Sequence, residues 1–140
     1  MNIFELSSDA DVAEAFAVMR ELRPHLDEHS YQELVDEQRR AGYRLAAVRL
    51  DDGVIAAVAG FWIGHKLAWG RHLYLDDLVT AAAHRSKGYG KALLEWLEAE
   101  ARKHGCAQFE LDSGTARHGA HRFYLGNGYD ISAFHFRKTL

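Results

Sequence analysis

The most informative stretch of the chain is Arg85-Ser86-Lys87-Gly88-Tyr89-Gly90-Lys91. It follows a β-rich segment and opens residues 88–103, whose apolar residues recur at helical spacing. The first N–H groups of a helix lack intrahelical partners and lie at the positive end of its dipole, so they bind phosphate oxygens. The glycines allow a ligand to approach closely, and the basic side chains add positive charge. The stretch therefore predicts a pyrophosphate-binding turn.

Two better-known phosphate-binding loops do not fit this spacing. A Walker loop that ends at Lys91 requires glycine where Arg85 stands, and serine or threonine where Ala92 stands. A dinucleotide-binding fingerprint that starts at Gly88 requires glycine or alanine where Leu93 stands. The turn therefore disfavours both a magnesium–nucleotide site and an NAD site.

Outward from this turn, the residue patterns predict alternating strands and helices. A helix capped by Ser8 or Asp9 has apolar residues at helical spacing, and Gly42 ends a second helix. The turn at residues 51–53 joins two strands as a hairpin, and a turn at Gly64 precedes the third strand. The predicted strands cover residues 2–6, 43–50, 54–63, 67–79, 106–111 and 129–136. The first predicted helix has its apolar positions between Val12 and Leu22 and is stopped by Pro24, and the other predicted helices cover residues 30–40, 88–103 and 116–126. The order β-α-α-β-β-β-α-β-α-β predicts an α/β domain with a mixed sheet.

Composition narrows the classes of protein that this chain can represent. Its 140 residues, 48% of them hydrophobic, predict one domain over residues 1–140. The net charge of -3 argues against nucleic acid as a partner. The acidic N-terminus differs from a secretory signal, and the longest apolar run, residues 54–63, is much shorter than the ~20 residues of a membrane span. Cys106 is the only cysteine, which excludes an internal disulfide and favours the cytoplasm.

Two separate blocks of the chain resemble the GNAT superfamily of acetyltransferases. Arg85, Gly88 and Gly90 form the pattern Arg-x-x-Gly-x-Gly of that family. Residues 120–129, Ala-His-Arg-Phe-Tyr-Leu-Gly-Asn-Gly-Tyr, resemble its late helix and turn, in which a tyrosine precedes a Gly-aromatic pair. The order of predicted elements is also similar. The resemblance implies the GNAT fold, with a mixed sheet of about six or seven strands and about four helices, and acetyl-CoA as co-substrate.

The resemblance also implies which residues contact the coenzyme. In that family the turn binds the CoA pyrophosphate through backbone N–H groups, and the preceding strand pairs with the pantetheine arm. The implied coenzyme-binding residues are Leu78, Val79, Thr80, Arg85, Ser86, Lys87, Gly88, Tyr89, Gly90, Lys91 and Tyr124. Tyr124 matches the tyrosine that protonates the departing CoA thiolate. A phenol with an unperturbed pKa of about 10 carries that proton at neutral pH.

Acetylation of an amine also needs a group that takes a proton from the attacking nitrogen. Relatives often place a glutamate on the strand before the phosphate turn, and the aligned residue here is Tyr74. Strand alternation puts Tyr74, Asp76 and Leu78 on one face and Asp77 on the other, unless a bulge intervenes. We predict Asp76 as the base, with Asp77, Tyr74 and a water relay as alternatives.

The closing segment, residues 117–140, resembles aminoalkylphosphonate N-acetyltransferases more narrowly. This resemblance implies that the acceptor is a small primary amine with an anionic group, bound by nearby Arg and His side chains. No carboxylate at a ligand spacing accompanies His118, His121 and His135, so no metal site is predicted. The resemblance also leads us to expect a homodimer.

Two alternatives to a small-molecule acetyltransferase stay open at this point. The first is a noncatalytic acyl-CoA-binding regulatory domain, which would keep the phosphate-binding turn. The second is an acetyltransferase whose acceptor is a protein lysine or N-terminus. An exposed peptide groove would favour the second alternative, and a small enclosed pocket would oppose it.

Overall fold

A computed structural model describes residues 1–140, which divide into two compact units, Met1–Glu110 and Leu111–Leu140. That the whole chain acts as one domain stays a prediction. The elements are β1 (Asn2–Glu5), α1 (Asp9–Leu22), α2 (Glu28–Ala41), β2 (Arg44–Arg49), β3 (Ile55–Lys66), β4 (Gly70–Thr80), a short 3-10 helix (Ala82–His84), α3 (Tyr89–Lys103), β5 (Gln108–Leu111) and α4 (His118–Gly126).

Local capping signals explain where the first two helices begin and end. The Ser8 hydroxyl oxygen accepts a hydrogen bond from the N–H of Asp11 at 3.1 Å and caps α1. Asp27 and Ser30 form a reciprocal capping box at the start of α2, and Gly42 ends that helix with a φ of 115°. Ser8 as a cap and Gly42 as a stop confirm the sequence prediction, because both depend on residues close in the chain.

The strands form one mixed sheet in the order β1-β2-β3-β4-β5. Strands β1 to β4 pair antiparallel, and Gly53 lies in the β2–β3 turn with a φ of 90°. The N–H of Ala107 donates to the carbonyl of Arg71 at 2.9 Å, so β4 and β5 begin side by side. They therefore run parallel, and α3 is the crossover that such a pair requires. The predicted α/β class and mixed sheet are confirmed.

Three details of the predicted sheet are wrong. The sheet has five strands rather than six or seven. Residues 129–136 form no strand; Phe134 and Phe136 are 87% and 91% exposed, because alternation makes a strand only where the backbone finds a ladder partner. The turn before β4 lies at residues 67–69 and not at Gly64. Gly64 lies inside β3 and pairs with His72 of β4. Strand β3 continues three residues beyond its predicted end at residue 63, and β4 begins at Gly70 rather than at residue 67.

Helices cover both faces of this sheet in the first unit. Val12, Phe16 and Tyr31 of α1 and α2 belong to a buried cluster that includes Val58 of β3. On the opposite face, the ring of Phe61 contacts the ring of Trp96 on α3, with centroids 6.5 Å apart. Full burial of a large apolar side chain stabilises the folded state by about 1.5–3 kcal/mol relative to leaving it exposed. None of the helices combines the length and apolarity that crossing a bilayer requires.

Candidate active site

The predicted phosphate-binding turn leads into the N-terminus of α3, where the backbone donors are exposed. Gly88 is the N-cap with a φ of 86°, no side chain caps the helix, and its first turn has no acidic residue. The first helical hydrogen bond runs from the N–H of Ala92 to the carbonyl of Gly88 at 3.0 Å. The N–H groups of the preceding helical residues therefore lack intrahelical acceptors. This arrangement suits an anion, as the sequence predicted.

The backbone of the turn is strained at one residue. Ser86 has a φ of 61°, the only positive φ of a residue other than glycine in this chain. Such a conformation costs about 1–2 kcal/mol. Gly88, two residues later, also has a positive φ, at 86°. Strain of this kind is typical of functional sites.

Glu21, near the end of α1, fixes the connection that leads from β4 into the turn. Its carboxylate accepts a hydrogen bond from the N–H of Ala82 at 2.9 Å and lies 3.9 Å from the guanidinium of Arg85. The side chains of Arg85, Lys87 and Lys91 are exposed, which places positive charge at the surface of the turn.

The second half of β4 leads towards this turn. Leu78, Val79 and Thr80 pair with β3 on one side. Since β5 has four residues and begins beside Arg71, it runs only along the first half of β4 at about 3.3 Å per residue. The edge of Leu78, Val79 and Thr80 that points away from β3 therefore lies beyond the end of β5.

A β-bulge interrupts β4 where the two aspartates lie. On β3, Gly60 pairs with Asp77 and Phe61 pairs with Leu75, so Asp76 is the extra residue of the bulge. The bulge restarts the alternation, which places Asp77 on the same face as Gly60. The indole of Trp62, also on that face, contacts Asp76. The alternation predicted without a bulge is therefore wrong: both aspartates lie on the α1–α2 face, and Leu78 lies on the other.

Five residues form a polar group that we call the bulge cluster: Arg23, Tyr43, Trp62, Asp76 and Asp77. The Tyr43 hydroxyl donates to Asp77 Oδ2 at 2.6 Å, and Arg23 Nε donates to Asp77 Oδ1 at 2.9 Å. Arg23 Nη2 also donates to the backbone carbonyl of Asp76 at 3.0 Å. Trp62 Nε1 donates to Asp76 Oδ2 at 2.6 Å. Hydrogen bonds to charged groups are among the stronger ones in proteins.

The two aspartates differ in their surroundings. Asp77 has a side chain only 13% exposed, and both of its oxygens accept hydrogen bonds. Asp76 is exposed and can be reached from solvent. Burial, reinforced by the negative charge of Asp77, raises the pKa of Tyr43 well above its usual range. Tyr74, the aligned alternative, stacks on Trp69 with ring centroids 6.1 Å apart.

Tyr124, the predicted acid, lies on α4 in the second unit. Its ring contacts those of Phe123 and Tyr129, with centroids 5.3 and 5.8 Å away. Burial raises the pKa of the Tyr124 hydroxyl, and the positive charge of Arg117 partly offsets that effect. The hydroxyl therefore keeps its proton at neutral pH.

The histidines of the second unit have separate contacts. The rings of His118 and His121 lie 6.0 Å apart, and His121 Nε2 lies 2.8 Å from the carbonyl oxygen of Gly114. His135 Nδ1 lies 3.7 Å from a carboxylate oxygen of Asp112. No group of three or more His, Cys, Asp or Glu side chains is arranged to hold a metal ion.

Sequence reasoning missed the residues that surround the two aspartates. Arg23, Tyr43 and Trp62 are distant from Asp76 and Asp77 in the chain, and no motif links them. The one local signal was a glycine, Gly60, isolated inside a strand, which indicates a bulge or a close backbone approach.

Comparison with known proteins gives concordant matches. Residues 10–129 match the model of the acetyltransferase (GNAT) family. The chain is 40% identical over 138 residues to the uncharacterized N-acetyltransferase YhdJ of Bacillus subtilis, covering 97% of this chain and 96% of that one. It is 39% identical over 79 residues to an aminoalkylphosphonate N-acetyltransferase of Salmonella typhimurium, covering 56% of this chain and 46% of that one.

A solved structure extends the match to the fold. The aminoglycoside N-acetyltransferase AAC(6')-Iy in complex with CoA superposes with a TM-score of 0.85 at 15% sequence identity. The alignment covers 99% of this chain and 95% of that one. At this identity the likeness concerns the fold alone.

Proposed function

The chain belongs to the acetyltransferase (GNAT) family and is an acetyl-CoA-dependent N-acetyltransferase, and we propose that its acceptor is the primary amine of a small molecule bearing an anionic group, such as an aminoalkylphosphonate. The partial match to an aminoalkylphosphonate N-acetyltransferase carries this proposal. The composition of residues 111–140 supports it, since this unit has four basic residues and two acidic ones in a chain of net charge -3. Those basic residues are Arg117, Arg122, Arg137 and Lys138.

For the coenzyme, we propose binding at the turn of residues 85–91 and along the end of β4. The uncapped N-terminus of α3 and the exposed basic side chains suit a pyrophosphate. The backbone edge of Leu78, Val79 and Thr80 suits the two amides of pantetheine, because strand edges bind extended amides by main-chain hydrogen bonds. We also propose that Tyr124 contacts the coenzyme.

For the chemistry, we propose direct attack of the amine on the thioester carbonyl, without a covalent enzyme intermediate. Asp76 takes the proton that the amine nitrogen must lose, while the C–N bond forms and the C–S bond breaks. Tyr124 gives its proton to the departing sulfur, and its raised pKa keeps that proton available at neutral pH. General acid or base catalysis of this kind contributes about 10²–10⁴-fold to the rate.

The deciding experiment measures CoA release from acetyl-CoA with a panel of acceptors. The panel contains neutral small amines, aminoalkylphosphonates and short lysine peptides, each with and without a chelator. Turnover preferring aminoalkylphosphonates over neutral amines of equal length is expected. Turnover only on lysine peptides would move the acceptor to proteins, and acetyl-CoA binding without turnover on any acceptor would favour a regulatory domain. Loss of turnover on chelation would contradict the metal-free mechanism.

Tyr124→Phe tests the proposed acid. Removing the hydroxyl should lower kcat by about 10²-fold while KM for acetyl-CoA stays within about threefold, because the lost interaction forms mainly in the transition state. Tyr129→Phe, in the same unit with its ring 5.8 Å from that of Tyr124, is the matched control. Equal effects of the two variants would contradict the role of Tyr124.

We also propose that the two units act together as one N-acetyltransferase domain and that the chain forms a homodimer. The family model covers residues 10–129 and so includes parts of both units. The exposed side chains of Ile131, Phe134 and Phe136 support the homodimer, since large apolar groups are commonly covered in an assembly. Sedimentation analysis tests it: a mass of one chain at micromolar concentration would refute the dimer.

A further inference from the structure

We propose that Arg23 and Tyr43 are positioning residues that hold the bulge of β4 so that Asp76 is presented to the acceptor amine. This inference rests on the proposed function, in which Asp76 is the base. It assigns different roles to the two aspartates: Asp77 anchors the bulge, and Asp76 performs the proton transfer.

The Tyr43 hydroxyl lies where a side chain at residue 60 would otherwise be. A Cβ atom built on Gly60 would lie 1.6 Å from the Tyr43 hydroxyl oxygen and 2.8 Å from Asp77 Oδ2. The hydroxyl therefore occupies the space that a side chain at residue 60 would fill, directly above β3. From there it donates to Asp77 at 2.6 Å. Only glycine at residue 60 allows this contact across the strand.

Arg23 bridges two consecutive residues of the bulge. Its guanidinium donates to the carboxylate of Asp77 and to the backbone carbonyl of Asp76, which are consecutive residues of the bulge. Arg23 is also the C-cap residue of α1, and its own N–H donates to the carbonyl of Met19. One side chain thus fixes the bulge to the end of a packed helix. The planar fork of arginine makes such two-point contacts, and lysine does not reproduce them.

The two aspartates differ in burial and in their hydrogen-bond partners. Asp77 is largely buried, and each of its two oxygens accepts a hydrogen bond, one from Tyr43 and one from Arg23, so this carboxylate is held in place and shielded from solvent. Asp76 is exposed, and its carboxylate is oriented by the indole N–H of Trp62. A base must reach the proton that it removes, and accessibility favours Asp76. Bulges next to active sites re-aim a side chain in this way.

A double-mutant cycle tests whether Tyr43 acts through Asp76. Tyr43→Phe, Asp76→Asn and the double variant are assayed for kcat and for KM of acetyl-CoA with the best acceptor of the wild type. Asp76→Asn should lower kcat by about 10²-fold or more, and Tyr43→Phe by about 10- to 100-fold. KM for acetyl-CoA should stay within about threefold. In the Asp76→Asn background, Tyr43→Phe should cause little further loss, because its effect passes through Asp76.

The matched control is Tyr31→Phe. Tyr31 is another buried tyrosine, and its hydroxyl donates to the carbonyl of Val12 at 2.7 Å rather than to a residue of the bulge cluster. The Tyr31→Phe variant also loses a buried hydroxyl, but its kcat should equal that of the wild type. Arg23→Gln should lower kcat as Tyr43→Phe does, and Arg23→Lys should restore only part of it. Circular dichroism and a thermal melt establish that each variant is folded, and the cycle uses those that are.

The outcomes separate this inference from the proposed function. If the wild type turns over and kcat is normal in Tyr43→Phe and Arg23→Gln, the positioning role is overturned and the acetyltransferase assignment stays intact. Additive losses of kcat in the double variant have the same consequence. A normal kcat in Asp76→Asn overturns the role of Asp76 and the inference with it. Absence of wild-type turnover on every acceptor overturns the proposed function first.

Discussion

Replacing Gly60 by alanine should destabilise the first unit much more than the same change at Gly64, four residues along the same strand. Neither glycine has a positive φ, so alanine causes no backbone strain at either residue. The difference in stability between the two variants therefore reports the space around each new Cβ atom. At Gly60 the new methyl would meet the Tyr43 hydroxyl oxygen at 1.6 Å and its Cζ at 2.3 Å. At Gly64 the nearest atom is His72 Cε1 at 3.6 Å, an ordinary van der Waals contact.

The magnitude follows from what Tyr43 would lose. Its ring is 4% exposed and packs against Trp62 with centroids 5.4 Å apart, so it has little room to move. Overpacking costs about 1–3 kcal/mol. Separating the Tyr43 hydroxyl from the Asp77 carboxylate costs about 1.5–3 kcal/mol more. Gly60→Ala should therefore lose about 3–5 kcal/mol, and Gly64→Ala should stay within about 1 kcal/mol of the wild type, since alanine suits a strand at least as well as glycine.

Urea unfolding followed by circular dichroism measures both free energies. A loss of 1 kcal/mol lowers the melting temperature of a chain of this size by about 3–5 °C, so Gly60→Ala should melt about 10–20 °C below the wild type. A loss of less than about 1 kcal/mol in Gly60→Ala would contradict the close contact between residue 60 and Tyr43, because the tyrosine would then have an alternative position of nearly equal energy. Equal losses in the two variants would refute it too, since the Tyr43 contact distinguishes them.

Three further predictions concern pH and coenzyme binding. Burial raises the pKa of Tyr31, so its contribution to stability is present below about pH 10 and is lost as pH rises above that value; Tyr31→Phe should show a shallower decline in unfolding free energy in alkaline titrations. Hydrogen bonds from Arg44 lower the pKa of Glu5, so its contribution is present above about pH 4.5 and is lost as pH falls through the folded-state value; Glu5→Gln should show a shallower acid decline in the same measurement. Lys87→Ala should raise KM for acetyl-CoA about three- to tenfold with kcat nearly unchanged, and steady-state kinetics showing an unchanged KM would contradict its contact with the coenzyme phosphates.

Features that depend on neighbouring residues were predictable from the sequence. The Ser8 cap, the Gly42 stop, the Gly53 turn and the helix after Gly88 follow from the conformational preferences of a few adjacent residues. The order of helices and strands followed from these signals. The turn of residues 85–91 belongs to the same group, because the donors through which we propose that it binds phosphate are the backbone N–H groups of a helix start.

Features that depend on pairing between distant segments were not predictable in the same way. The bulge at Asp76 is a property of the β3–β4 register, so alternation along β4 alone placed Asp77 on the wrong face. The segment of residues 129–136 alternates adequately but has no partner in the sheet. The positive φ of Ser86 had no signal either, since serine is not a residue that favours this conformation.

The end of α1 connects the two parts of the first unit that the proposed reaction uses. Glu21 holds the N–H of Ala82 at the entry to the phosphate-binding turn, and Arg23, two residues later, holds Asp76 and Asp77 at the bulge. Both contacts start from one helix end that is packed in the core, so the bulge and the turn are fixed to a common support. A change that shifts this helix end should therefore alter kcat and KM for acetyl-CoA together. Substitutions within the bulge cluster alone should alter kcat and leave coenzyme binding intact.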